Sequence, residues 1–343
     1  MSITIQQALG LIQAGIAING EDAEDVFGQI MKGEASDAQI GALLMGLSIR
    51  GETADTIAGA ARAMRAAATR ISPKTSGLLD TCGTGGDGAS TFNISTTVAL
   101  VVAACGVPVA KHGNRAISSR SGSADVLEAL GVKLDIAPER VAECIDSVGI
   151  GFLFAPGHHP AMKHASGPRR ELGMRSIFNL LGPLTNPAGA EFQVLGVFAR
   201  DKLELVAGAL RQLGIKRALI VHGRDGLDEI TTTGITDAVW VEQGQELRPF
   251  EIDPRAFGMP CAEAAALGGG EAGENAVIIR DILNGAHGAP RDIVLLNAAA
   301  ALWVAGKVDG IAPGLRMAAE AIDSGKAADT LASLAAFTQT AVR

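Results

Sequence analysis

The junction where Leu78-Leu79-Asp80 runs into Thr81-Cys82-Gly83-Thr84-Gly85-Gly86-Asp87-Gly88 constrains this chain more than any other stretch. A short apolar run stopped by closely spaced glycines reads as a strand ending in a loop whose backbone angles side chains resist. Ser90-Thr91-Phe92-Asn93-Ile94-Ser95-Thr96-Thr97 follows, dense in hydroxyls, with Ser95 and Thr96 placed to cap a helix opening near Thr97. Strand, glycine loop and helix in that order belong to an α/β fold, where such a loop lies at the carboxyl end of its strand and ligands gather there. Loop amides and the orphan amides of a helix start converge well on anionic oxygens, although a ligand-free turn with ordinary caps uses the same residues. Asp87 repels bare phosphate but suits phosphate carrying a divalent cation.

The rest of the chain extends this pattern. Runs at 107–110, 192–198, 218–221, 238–241 and 277–279 read as strands, and stretches at 201–213, 292–304 and 312–322 read as helices. The fold class is therefore α/β, with a small all-helical domain beside a larger α/β domain whose central, largely parallel sheet is flanked by helices. Residues 3–68 carry no strand pattern. There Ser36 with Gln39 fits a capping box ahead of Ile40, Leu43, Leu44 and Leu47, and Thr53 caps a run with Ile57, Ala61, Met64 and Ala68 on one face. The stretch 161–185 is helical and basic, and 186–189 is a stiff turn before strand pattern resumes at Phe192.

Charge and cysteine usage exclude several classes. The formal net charge is -8, from 29 basic and 37 acidic side chains, which opposes general affinity for nucleic acid or an anionic membrane surface. Four scattered cysteines form no disulfide framework or zinc pattern, and no apolar run is long enough to span a bilayer. With no signal-peptide pattern in MSITIQQALG, a cytoplasmic location is expected. Two basic stretches stand out locally: Lys111, His112, Arg115 and Arg120, then Lys163, His164, Arg169, Arg170 and Arg175. They suit either a small polyanion or plain solvent.

Gly83 to Gly88 satisfies GxGxxG, yet residues 101–110 lack the acid a dinucleotide site needs, and no Gly-Lys-Ser/Thr completes a nucleotide triphosphate loop. A second candidate loop follows the 107–110 strand, Lys111-His112-Gly113-Asn114-Arg115-Ala116-Ile117-Ser118-Ser119, with cations, amides and hydroxyls together. Asp228-Glu229 after the 218–221 strand places two carboxylates side by side. Their repulsion lifts one pKa unless water or a cation screens it.

Together these segments, with Arg169-Arg170-Glu171-Leu172-Gly173 and the run from Phe178 to Pro187, resemble the anthranilate phosphoribosyltransferases, in that family's order and over most of the chain. Pyrimidine nucleoside phosphorylases share the fold but match less well at the second loop. The resemblance implies transfer of a phosphoribosyl group from phosphoribosyl pyrophosphate to anthranilate, with two magnesium ions (Mg2+) per site. It implies that Gly83, Gly86, Asp87, Thr91, Asn93, Ile94, Ser95, Thr96, Lys111, Ser119 and Ser123 meet phosphoribosyl pyrophosphate. Gly83, Asn114 and Arg169 then face anthranilate, and Ser95, Asp228 and Glu229 hold metal. No general base is implied, and His112 is read as shaping its loop.

The family also implies a helical domain of residues 1–72 and about 161–188, an α/β domain of 73–160 and 189–343, and a homodimer through the helical domain. Gly83, Gly85, Gly86 and Gly113 are expected to let the loops move, and Pro168 to affect where the helix bearing Arg169 starts. A nucleic-acid-binding homologue without activity fits poorly, since the metal and acceptor residues are all present. A different aromatic acceptor, or phosphorolysis, is the nearer alternative.

Overall fold

The computed structural model describes residues 2–116 and 120–340. Four helices open the chain: α1 (Ile5–Gln13), α2 (Gly20–Lys32), α3 (Asp37–Arg50) and α4 (Ala54–Ala67). Their starts are written locally. Thr4 with Gln7 and Ser36 with Gln39 make capping boxes, and the Asn19 and Thr53 side chains accept from Asp22 N and Thr56 N. Each such cap stabilises its helix by about 1 kcal/mol. Gly33 stops α2 in left-handed geometry at φ 75°.

Strands β1 (Leu79–Gly83), β2 (Val109–Gly113), β3 (Ile150–Phe154), β4 (Phe192–Gly196), β5 (Arg217–Gly223), β6 (Thr236–Glu242) and β7 (Arg248–Ile252) form one seven-stranded sheet in the order β3-β2-β1-β4-β5-β6-β7. Pairing is parallel from β3 through β5 and antiparallel from β5 to β7, so the sheet is largely parallel, as the sequence pattern predicts. Pattern alone does not reveal β3 and β7.

Around the sheet lie α5 (Ile94–Ala104), α6 (Ser123–Ala129), α7 (Pro138–Val148), α8 (Ala155–His158), α9 (Lys163–Leu172), α10 (Phe178–Leu181) and α11 (Leu203–Gln212). The chain closes with α12 (Ala272–Leu283), α13 (Ala289–Val304), α14 (Ile311–Asp323) and α15 (Lys326–Gln339). Residues 277–279, expected as a strand, belong to α12. Ala276, Ile279, Ile282 and Leu283 recur at helical spacing and are buried, while Val277 points outward.

Successive strand residues face opposite cores, which fixes register. Val194, Leu219 and Val221 pack with α5 and α13, whereas Leu195, Ile220 and Val239 share a second core with α11, α4 and the other N-terminal helices. Leu181 and Leu184, from the segment that returns to β4, join that second core. The path from β1 goes outward to β2 and β3, then back to β4 on β1's other side. Between β1 and β4 the direction of winding reverses, and a crevice opens beyond their carboxyl ends.

Candidate active site

Gly83 ends β1 and Gly196 ends β4, paired in register, and the loop after β5 crosses both ends. A Cβ on Gly196 would sit 1.5 Å from the Asp228 carbonyl oxygen, and one on Gly83 2.2 Å from Asp228 Oδ2. Only glycine leaves the loop room. In that position Asp228 Oδ2 accepts from Gly85 N at 2.6 Å and Glu229 Oε1 accepts from Ser95 N at 3.1 Å. Ser95 and Thr96 are not the caps of their helix as expected, because α5 starts earlier, at Ile94. Asn93 holds the N-cap position without a side-chain bond to the helix, and the Glu229 carboxylate satisfies a first-turn amide from another element. Asn297 of α13 fixes the next residue: Ile230 N donates to its Oδ1 at 2.9 Å and its Nδ2 donates to Ile230 O at 2.7 Å.

Asp228 is buried and Glu229 half-buried with an edge on the cavity. Both carboxyls are pushed well up from the usual carboxylate range, first by burial. Asp87 adds to the shift at Asp228, and Asp228 adds to that at Glu229, with Lys111 opposing. Repulsion within the pair therefore comes second to loss of water. Lys111 is buried, its Nζ donating to Thr81 O at 2.6 Å and Ser95 Oγ at 3.4 Å. Burial pulls its pKa down while Asp80 opposes most strongly. Burial pushes Asp80 up to about 6, and its two oxygens accept from His112 N at 3.2 Å and Asn186 Nδ2 at 2.8 Å.

Gly85 and Gly86 adopt φ 67° and 78°, left-handed angles that favour glycine. The loop is nevertheless braced: the Arg175 guanidinium donates to Gly86 O and lies 4.4 Å from the Phe198 ring centroid. At Gly83 and Gly113 a side chain has no room. A Cβ on Gly113 would fall 2.1 Å from Ser123 Oγ. Thr91 forms an isolated bridge with Gly268, and Ser123 Oγ donates to Asn114 O at 3.3 Å. Asn93 is held on both sides of its amide, with Oδ1 accepting from Asn275 Nδ2 at 2.9 Å and Nδ2 donating to Ser121 O at 3.1 Å. Arg115 is paired with Asp125 and Glu128 at 2.9 and 2.6 Å rather than open to an anion. Ser119 lies outside the described residues.

Arg169 sits on α9, which starts at Lys163, so Pro168 is buried inside the helix instead of setting its start. Its guanidinium lies 5.1 Å from the Phe178 ring centroid, burial lowers its pKa, and among the described residues no carboxylate pairs with it. A half-buried cation without a counter-charge favours an incoming carboxylate.

Two cavities meet here. One, of about 370 Å3, is lined by both glycine-containing loops, the start of α5, Lys111, Asp228 and Glu229. The other, of about 500 Å3, is more apolar and reaches between α9 and α4, past Met64, Met162, Phe178 and Pro183. Gly83, Asn114 and Arg169 line both. His112 and His159 flank the apolar lobe with ring centroids 5.1 Å apart, held neutral chiefly by burial, which takes them down to about 3 and about 4. A larger recess, of about 800 Å3 by β6 and β7, is lined by Arg200, Asp237 and Glu251, charges that pair among themselves and with Arg224. None of the expected site residues reaches it.

Residues 6–68 match the helical bundle domain of the glycosyl transferase family, and residues 75–328 match that family's α/β domain. An anthranilate phosphoribosyltransferase of Acetivibrio thermocellus is 51% identical over 334 residues, covering 97% of this chain and 96% of that one. The chain belongs to the anthranilate phosphoribosyltransferase family. The crystal structure of the Thermus thermophilus enzyme superposes with a TM-score of 0.92 at 46% identity, covering 97% of this chain and 99% of that one. The Saccharomyces cerevisiae anthranilate phosphoribosyltransferase in complex with PRPP and Mg gives a TM-score of 0.89 at 26% identity, with 97% of both chains covered.

The segments that carry the family resemblance supply the loops of this anthranilate phosphoribosyltransferase fold, and buried polar residues both outside those segments (Asn275, Asn297) and within them (Asp80, Asn186) hold the loops in place. Asn275 and Asn297 come from helices far along the chain, and Asp80 and Asn186 lie behind the cleft. Each is a buried polar residue. Burial of an amide or carboxyl inside an otherwise apolar run is the signal for it, since such a group needs partners.

Proposed function

We propose that the chain transfers the phosphoribosyl group of 5-phosphoribosyl 1-pyrophosphate to the amine of anthranilate, giving N-(5-phosphoribosyl)anthranilate and pyrophosphate in tryptophan biosynthesis. The observation that carries this reading is the meeting of a polar and an apolar lobe at Gly83, Asn114 and Arg169. Phosphoribosyl pyrophosphate occupies the polar lobe, against Gly83, Gly86, Asp87, Thr91, Asn93 to Thr96, Lys111 and Ser123, with Ser119 assigned by resemblance alone. Anthranilate enters the apolar lobe with its carboxylate toward Arg169, which brings its amine to the shared boundary.

Breaking the C1–oxygen bond builds negative charge on the leaving pyrophosphate, so stabilisation belongs there. The Gly86 amide and the buried Lys111 Nζ supply fixed donors on that side, while Gly85 N is taken up by Asp228 Oδ2. The amine of anthranilate already carries its electron pair and requires alignment more than a base. His112 and His159 are neutral walls across the physiological range and keep the acceptor lobe free of competing charge.

Ser95, Asp228 and Glu229 fit magnesium, two ions per site. Their donors are hard oxygens, and the buried carboxyls lack enough positive charge of their own. Among the described residues no three His, Cys, Asp or Glu side chains form a complete cage, which suits an ion that takes part of its shell from substrate phosphate and water. Bound magnesium supplies charge neutralisation at the pyrophosphate oxygens.

The same proposal divides the chain into a helical domain of residues 1–72 and about 161–188 and an α/β domain of the remainder, with the cleft between them. Exposed Met45 and Ile49 on α3, with Ile16 in the linker between α1 and α2, support homodimerisation through the helical domain. A cytoplasmic location is supported by four free thiols, and no helix among the described residues is long and apolar enough to cross a membrane.

The test is consumption of anthranilate fluorescence by purified protein with phosphoribosyl pyrophosphate, with and without magnesium, alongside nicotinate, uracil and thymidine plus phosphate. Anthranilate is expected to react, with pyrophosphate released in equal amount. Turnover of another acceptor with none of anthranilate would overturn the assignment. Light scattering that found only monomer at every concentration would remove the dimer.

A further inference from the structure

A separate cavity of about 290 Å3 lies between the chain leaving α4 and the chain returning to β4. One wall is the segment that leaves α4, carrying Arg65, Arg70 and Ser72, and the other is the return to β4, carrying Thr185, Asn186 and Gly189. Ile71 N donates to Pro187 O at 3.2 Å, so the two linkers touch at its floor.

Two guanidiniums face this space without a counter-charge. Arg65 Nε donates to Leu184 O at 2.7 Å and Arg70 Nε to Arg65 O at 3.3 Å. Neither arginine has an ion-pair partner among the described residues, and no carboxylate lines the cavity. Burial first and the like charge of Arg70 second pull Arg65 down to about 10, leaving it fully charged at neutral pH. Arg65 is half-buried and Arg70 exposed, so water screens part of their repulsion, and an anion held between them would remove the rest. The planar guanidiniums and the neighbouring Ser72 hydroxyl are donors of the kind that hold tetrahedral oxyanions.

The position gives such an anion leverage. Asn186 reaches from this cavity's wall to Asp80 at 2.8 Å and to Ala110 O at 2.7 Å, and Asp80 in turn accepts from His112 N. Thr185 lines both this cavity and the apolar lobe of the cleft. We propose that the cavity between Arg65 and Arg70 binds a phosphate-class oxyanion and that its occupation braces the two linkers that join the helical segments to the sheet. This cavity shares no lining residue with the polar lobe.

Isothermal titration of potassium phosphate into the full chain tests it, with phosphoribosyl pyrophosphate and magnesium saturating and anthranilate absent so that the catalytic loops are filled. Potassium chloride at equal ionic strength is the control. One phosphate site is expected in the wild type, weakened at least about tenfold in Arg70→Ala, a change on an exposed residue outside the substrate lobes. Crystals soaked in selenate should show an anomalous peak between Arg65 and Arg70. At saturating substrates, phosphate should change turnover relative to chloride in the wild type and not in Arg70→Ala. Equal phosphate binding by both proteins, no binding by the wild type, or selenate only at the catalytic loops would overturn the site. Identical turnover responses would overturn the bracing.

Discussion

Gly196→Ala adds a single methyl group, far from any substrate contact in sequence, and should nearly abolish turnover. Its Cβ would lie 1.5 Å from the Asp228 carbonyl oxygen and 2.2 Å from the carbonyl carbon. Non-bonded heavy atoms settle at about 3.5 Å, so one backbone must retreat by about 2 Å. Strand β4 cannot give way easily, since Gly196 pairs with Gly83 on one side and Val221 on the other, and its carbonyl accepts from Thr84 N at 2.9 Å. The acidic loop moves instead. That motion breaks the bonds from Gly85 N, Ser95 N and Ile230 N, which at about 1 kcal/mol net each lower stability by roughly 3 kcal/mol. At about 2.1 cal/mol/K of unfolding entropy per residue, a chain of this length should lose roughly 4 °C in melting temperature. Misplacing catalytic groups by even 1 Å costs on the order of a hundredfold, so kcat should drop at least that far. Kinetics across magnesium concentration, with circular dichroism to establish the fold, make the measurement. Gly28→Ala in α2, where a Cβ meets nothing within 4 Å, is the matched control and should leave activity intact. A folded Gly196→Ala protein with kcat within about threefold of wild type would refute the argument that the acidic loop must stay where it is.

Arg169→Ala should raise the anthranilate KM roughly 10- to 100-fold, the loss of one charge-assisted contact, while binding of phosphoribosyl pyrophosphate measured by calorimetry stays near wild type. Asp228→Asn with Glu229→Gln should cut turnover by a hundredfold or more, on the order of losing a transition-state contact. The same double change should stabilise the metal-free protein. Folded-state pKa values raised above the unfolded ones mean that stability from these carboxyls is present at low pH and lost as pH rises toward neutrality. The variant's advantage in urea denaturation should therefore be larger at pH 8 than at pH 5.5; an advantage that shrank with rising pH would contradict the sign. His112→Gln should leave the limbs of the kcat/KM profile between pH 5.5 and 8 in place, because His112 is already neutral there. Loss of a limb would identify it as a base.

What the sequence made legible was whatever is written locally. The capping boxes at Ser36 and the cap at Thr53 are three-residue signals, and both stand in the structure. The glycine loop and the acidic pair each follow a strand, and the loop expected to start at Lys111 starts later, since Lys111, His112 and Gly113 belong to β2; the convergence of all three segments at carboxyl ends follows from parallel topology. Less legible was anything depending on distant partners. Ile150–Phe154 is a short continuous apolar run that periodicity cannot assign, and residues 277–279 look like such a run until the helical spacing of Ile279, Ile282 and Leu283 is counted. The start of α5 at Ile94 depends on Glu229, 134 residues from Ser95. Gly113 reads as a flexible hinge in sequence, yet its lack of a side chain makes room for Ser123.

The residues that hold the site together are mostly asparagines, and the charges already there explain why. Asp80, Lys111, Asp228 and Glu229 share a region poor in water, where another charge within a few ångströms would shift each of them further. An amide both donates and accepts while adding no charge. Asn297 uses both functions on Ile230, Asn275 accepts from Gly270 N while donating to Asn93, and Asn186 donates to Asp80 and Ala110 while accepting from Ala188 N. A carboxylate in any of these places would keep the acceptor, lose the donor and add repulsion to the acidic cluster. A lysine would compete with Lys111 for Asp80. Neutral ties thus fix the loops without altering the charge that phosphate and magnesium are to meet, which allows the polar lobe to be both rigid and unfavourably acidic until its ligands arrive.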